Sequence, residues 1–191
     1  MKIHVHLLGL LLVIVGCNML QPVKDLATHH VLDPLVPDRK LSLRVPAIAV
    51  NRPSLPEYLD QQQLVSRAGG DLVLSDHHLW AEPLDASMAR VTASNLSRLT
   101  GSMNIQTVAS FTTLDYTDLL EIHVARFEPD TANHMIFEGT WKLQSVNGRE
   151  SHAHFFRFEF QFLVFPDPMT GRITAMNEAL ERLARQIGRN L

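Results

Sequence analysis

The sequence predicts an α+β fold, a mainly antiparallel sheet with two amphipathic helices packed on one face. Three observations predict it. Met135, Phe137, Trp141 and Leu143 alternate with Glu138, Thr140, Lys142 and Gln144, the period-two pattern of a strand with one buried face. Asn147-Gly148 then joins this stretch to another strand, and that dipeptide is the strongest short hairpin signal. Two separate stretches carry apolar residues at three- and four-residue spacing, as a helix with one packed face requires.

The elements follow in order. His29 to Asp33 reads as a first extended segment, broken by Pro34 and Pro37. Leu41 to Val45 alternates as a strand and continues through Pro46 to Val50. Asn51 to Pro56 is loop-like and leads to a single turn at Glu57 to Asp60. Gln63 to Arg67 and Leu72 to Ser75 are short strands joined by the tight turn Ala68-Gly69-Gly70-Asp71. The first helix spans Pro83 to Leu99, with Leu84, Met88, Val91, Leu96 and Leu99 on its stripe. Pro83 suits its first position, Asp85 complements the positive end of its dipole, and Gly101 stops it. Ile105 to Ser110 is a strand. Asp118 to Phe127 is apolar on both faces and is therefore expected at the sheet centre. Ser151 to Phe165 is the last strand, with Phe156, Phe158, Phe160 and Phe162 on one side. A helix from Met169 to Ile187 closes the chain, with Ile173, Met176, Leu180, Leu183 and Ile187 on its stripe and arginines near its carbonyl end.

The N-terminus is organised differently. Lys2 leads into an apolar run, Leu7 to Val15, that ends at Gly16-Cys17. A basic start, a short apolar stretch and a small residue at the cut make a secretory signal. Crossing a bilayer takes roughly 20 apolar residues, which this run lacks. Cys17 is the sole cysteine, and a cysteine just after Gly16 is the layout of a bacterial lipobox. The expected organisation is a signal peptide over 1–16, a lipidated tether over 17–28 and one α+β domain over 29–191. One acyl chain binds a membrane marginally, whereas several make dissociation negligible. No intrachain disulfide is available to a single cysteine, so packing must hold the domain. The net charge of −3 and the lack of any Lys/Arg block point away from nucleic acid.

Catalytic constellations are absent from the pattern. The ten histidines include His152 and His154 on one strand face, and the adjacent pairs His29-His30 and His77-His78, whose members point to opposite faces. None has a further ligand at a recognised metal spacing, so neither a metal nor a cofactor is expected. There is no GxSxG, and Ser75, Asp76 and His77 are too close along one strand to form a relay. The phenylalanine row reads as core beneath the helices. Exposed, it would be a groove for a lipid or another hydrophobe.

One series of residues carries a resemblance. Tyr58-Leu59-Asp60 with Gln63-Leu64-Val65 and Arg67 is followed by Trp80-Ala81-Glu82-Pro83-Leu84-Asp85, then Ala89-Arg90-Val91 and Asn95-Leu96. In this order they resemble the signature of the PqiC/YmbA-like lipoproteins, auxiliary components of ABC-type transport systems. The resemblance implies a non-catalytic lipoprotein of the outer membrane, facing the periplasm. Its implied partners are an MCE-domain protein and an ABC-type transporter that move lipids between membranes, and it implies assembly as a homo-oligomeric ring. Asn18 stands where an aspartate commonly signals inner-membrane retention. Pro83 would open the helix, Trp80 anchor the entering chain and Glu82 cap the first amides, while the corner they form is the candidate partner contact. His29-His30 departs from the aromatic pair of many relatives. Two other classes stay open at this stage: a periplasmic lipid- or hydrophobe-binding lipoprotein, and an envelope hydrolase using Asp76 and His77.

Overall fold

The computed structural model describes residues 26–35, 45–110, 116–146, 148 and 152–191. The lipobox, most of the tether and the Leu41–Arg44 part of the second expected strand lie outside them. Among these described residues eight strands form two sheets, with two α-helices. The strands are β1 (Thr28–His30), β2 (Ile48–Val50), β3 (Gln63–Ala68), β4 (Asp71–Trp80), β5 (Ile105–Thr107), β6 (Asp118–Pro129), β7 (His134–Ser145) and β8 (His154–Gln161); the helices are α1 (Leu84–Thr100) and α2 (Pro168–Gly188).

The larger sheet has the order β5-β2-β6-β7-β8, and the smaller one β1-β4-β3. The α+β expectation holds, with one correction: the sheets are mixed. The β6-β7-β8 meander is antiparallel, but β2 pairs parallel with both β5 and β6, and β1 pairs parallel with β4. The reason is connectivity. After β2 the chain passes through β3, β4 and helix α1 before β5, a crossover that returns it beside β2 in the same direction.

Both helices pack on one face of the five-stranded sheet and against each other. Strand β6 is central, as expected, yet only one of its faces is dry. Leu120, Ile122 and Val124 point to the helices while His123 is exposed. A bulge between Val124 and Arg126 then shifts the register, so Phe127 rejoins the core face. Met135, Phe137 and Trp141 of β7 are buried as the alternation requires, and the row interlocks: Phe137 meets Phe127 and Phe156 edge-on at 4.8 and 4.7 Å. Phe156 is buried and Phe158, Phe160 and Phe162 pack against the core, with the Arg182 guanidinium 3.9 Å over the Phe160 ring. The row is therefore core. Strand β8 is shorter than the expected Ser151–Phe165, and its pairing with β7 is symmetric about positions 147 and 148. Gly148, at φ +81°, donates its N–H to Ser145.

Local signals explain the remaining boundaries. The Gly69-Gly70 turn joins β3 to β4, with Gly69 at φ +60°. Strand β4 runs past the expected Ser75 to Trp80 because it bulges. Val65 pairs with Leu74 and Gln63 with Leu79, so Ser75 to His78 bow out opposite Leu64 alone. The His78 N–H donates to the Ser75 hydroxyl there, at 3.2 Å. Gly101 ends α1 in the left-handed region, at φ +72°. Only Ile105–Thr107 of the expected 105–110 strand is extended, and Val108–Ser110 forms a 3-10 turn. Asp167 caps α2, accepting from the N–H groups of Met169 and Thr170.

Candidate docking site

The signature residues converge on one corner, where β4 enters α1. The turn at 57–60 closes through Leu59 N–H to Pro56 and Asp60 N–H to Glu57. Leu59 is buried, and the Gln61 amide donates to the Tyr58 carbonyl at 2.7 Å. The Trp80 N–H reaches the Gln62 carbonyl at 2.7 Å, and the Ala81 N–H reaches that of His30 at 2.9 Å. Trp80 is buried, so its ring anchors the entering chain as the sequence suggested.

Two details differ from expectation. Pro83 sits one residue earlier, as the capping residue itself (φ −52°, ψ 132°), and α1 begins at Leu84. Glu82 does not cap α1. It accepts from Arg90 at 2.5 Å, and that guanidinium also donates to the Leu32 carbonyl at 2.9 Å. Burial alone would raise the Glu82 carboxyl, but the hydrogen bonds from Arg90 and Ser87 outweigh it and hold the group below the usual range. Arg90 thereby clasps the chain leaving β1 to the start of α1. Asp85, in the first turn, accepts from the Ala86 N–H at 2.7 Å and lies 3.5 Å from Arg52.

Asp60, Gln61, Gln62, Trp80, Ala81, Glu82, Pro83 and Leu84 line a cleft of about 280 Å³. Tyr58 and Leu59 precede these residues in the same turn and do not line the cleft. Glu82 also rims a larger open groove of about 590 Å³, between α1 and the edge strand β5. Ala86, Ala89 and Ala93 line it on the helix, and Val50 and Ile105 on the sheet.

Beneath the corner lies a buried charge cluster that sequence reasoning missed. The Glu128 carboxylate is fully buried, 2.9 Å from Arg67 Nε and 3.0 Å from Arg126 Nε. It also accepts from the Tyr58 hydroxyl at 2.8 Å and the Phe127 N–H at 3.1 Å. Burial, with the adjoining carboxylate, pushes the Tyr58 phenol up to about 12, and the same carboxylate raises Arg67. The cluster ties the 57–60 turn to β3 and β6. The only sequence signal was a glutamate at the end of an apolar strand, and the β6 bulge, which gives Phe127 the helix-facing side and sends Glu128 to the opposite one, toward Tyr58 and Arg67, is not visible in composition.

The histidines have mostly structural company. His30 Nε2 lies 2.9 Å from His78 Nδ1 across β1 and β4, and burial and the His78 ring lower His30 from the usual imidazole range. His154 stacks on Trp141 at 4.2 Å. Ser75 serves the His78 backbone, while Asp76 and His77 are exposed. Among the described residues no group of three His, Cys, Asp or Glu is placed to hold a metal ion.

With this geometry in view, the comparisons with known proteins decide the family. The profile of the ABC-type transport auxiliary lipoprotein components matches residues 31–188. The chain belongs to this family. The match spans β2 to β8, both helices and the whole signature corner. Among solved structures, an uncharacterised protein superposes with a TM-score of 0.69 at 18% identity, covering 86% of this chain and 97% of that one. A Xanthomonas campestris protein of the DUF330 family gives a TM-score of 0.60 at 17% identity, covering 84% and 92%. These two likenesses establish the fold. No curated protein matches. No described helix is long and apolar enough to cross a membrane, and membership of this lipoprotein family supports anchoring by lipid.

Proposed function

We propose that this family member is a non-catalytic subunit anchored through acylated Cys17 to the outer membrane, facing the periplasm. There it receives an MCE-domain or transporter protein of an ABC-type lipid transport system, alone or as a ring of subunits. The observation that carries the reading is the family match over 31–188, a range that includes the corner and its cleft. Trp80, Leu59 and the Tyr58–Glu128 cluster fix a cleft, and the cleft presents Asp60, Gln62, Glu82 and Pro83 outward. Anchoring confines this surface to two dimensions and raises its effective concentration for an arriving partner.

Affinity isolation of the mature lipoprotein from gently solubilised envelopes tests it. An MCE-type or transporter protein should accompany the unmodified chain and be depleted by Asp60→Arg with Ala81→Trp, exposed or cleft-lining changes that spare the core. Absence of any such protein, while other envelope complexes survive, contradicts the reading.

A second reading rests on the 590 Å³ groove along α1, whose alanines, Val50 and Ile105 form an apolar lining suited to an acyl chain. A lipid-binding protein would retain a lipid-mass adduct in native mass spectrometry, and Ala89→Phe would abolish it.

A further inference from the structure

Five large apolar side chains stand open at one end of the molecule. Leu72, Val73 and Leu74 follow the Gly69-Gly70 turn, and Leu163 (78% exposed) and Val164 (70%) lie between β8 and α2. The β6–β7 turn brings the two stretches together. The Thr131 N–H donates to the Arg67 carbonyl of β3 at 2.9 Å, and the Phe162 N–H to the Asn133 carbonyl at 2.9 Å. Val73, Pro129 and Met169 line a common cleft. Isolated exposed apolar residues need no explanation, but a group of this size at one end signals something that covers it.

The tether identifies what covers it. Strand β1 runs parallel to β4, with Thr28 opposite His78, so the chain ahead of Thr28 enters from the end where β4 begins. Leu26, directly upstream, is itself 61% exposed. Cys17 precedes Thr28 by eleven residues, a reach of at most about 40 Å. An acylated Cys17 therefore keeps a bilayer within reach of the apolar end. The far end of β4 carries Trp80 and the signature corner.

We infer that the Leu72–Leu74 hairpin and the Leu163–Val164 loop rest on the lipid surface that holds the anchor. This rests on the proposal that Cys17 is acylated. Apolar side chains of such an element enter the boundary between headgroups and acyl chains, to a depth of roughly 5–10 Å. Asp71 at the hairpin tip stays among the headgroups and limits the depth. The seating turns the corner at Trp80–Leu84 away from the membrane.

The test uses the lipidated chain in vesicles of phosphatidylethanolamine and phosphatidylglycerol. Because acylation consumes the native cysteine, Val73→Cys, Leu163→Cys and Val146→Cys each add a single free thiol for an environment-sensitive fluorophore. Val146 is exposed in the β7–β8 hairpin, at the other end of β7. The labels at 73 and 163 should shift to the blue and brighten several-fold on reconstitution, and should be quenched by lipid-borne quenchers, while the label at 146 stays aqueous. Vesicles that carry the protein but leave 73 and 163 aqueous, or that shift 146 equally, overturn the inference and leave the anchor intact. Protein that does not float with vesicles overturns the acylation itself.

Discussion

Replacing Glu128 with alanine should unfold the corner's support more than any surface change. Its carboxylate is fully buried and takes four hydrogen bonds, from Arg67, Arg126, Tyr58 and the Phe127 N–H. Removing one member of a buried ion pair costs about 3–5 kcal/mol. Here the two arginine side chains keep 25% and 29% exposure and can rehydrate, which places the loss near the lower limit, about 3 kcal/mol. In urea, with a slope of about 1–3 kcal/mol per molar, the midpoint should fall by at least about 1 M. Glu128→Gln, which keeps the shape and loses the charge, should lose less. A cycle with Tyr58→Phe should show coupling beyond the roughly 0.5 kcal/mol scatter of independent sites. A loss below about 1 kcal/mol for Glu128→Ala, or strict additivity with Tyr58→Phe, would refute the view that this cluster holds the turn in place.

Other expectations follow from single features. The Tyr58 phenol is raised to about 12 from 10.0, so the folded state keeps a proton that the unfolded chain has lost. The stability this supplies is complete below pH 10 and disappears as pH rises to about 12. Alkaline denaturation of Tyr58→Phe should lack that component. Asn95 is buried in α1 with neither amide atom hydrogen-bonded. Asn95→Leu should therefore gain about 1 kcal/mol and raise Tm by about 2–4 °C in a thermal scan. A β-carbon at Gly139 would lie 2.1 Å from the His123 carbonyl oxygen and 2.9 Å from the Phe156 ring. Calorimetry of Gly139→Ala should show a loss at or above the usual 1–3 kcal/mol of overpacking. Asp167→Ala removes the α2 cap and should cost about 1 kcal/mol in the same denaturant assay.

Periodicity carried much of the fold because it reports directly on which face is dry. The α1 and α2 stripes, the β7 alternation and the Gly69-Gly70 turn all encode burial or backbone freedom residue by residue. The parallel pairings of β1 and β2 were illegible for a different reason. Three-residue strands have no period to measure; the crossover through α1 sets the direction of β5 beside β2, whereas β1 meets β4 before α1 begins, through a pairing of residues far apart in sequence. The β4 and β6 bulges were equally hidden. Each inserts residues without a change in composition, and the one in β6 puts Phe127 on the helix side and Glu128 on the side of Tyr58 and Arg67. At the corner, Trp80 and Pro83 could be placed because burial and helix entry follow from residue type. Arg90 was read only as part of a signature, since its partners Glu82 and the Leu32 carbonyl come from separate elements.

The intact mass of the protein extracted from membranes tests the central claim most directly. A polypeptide starting at position 17 and heavier than its sequence by diacylglycerol and an acyl group is the predicted result. A chain that keeps residues 1–16, or one that begins at Cys17 with a free thiol, would contradict it.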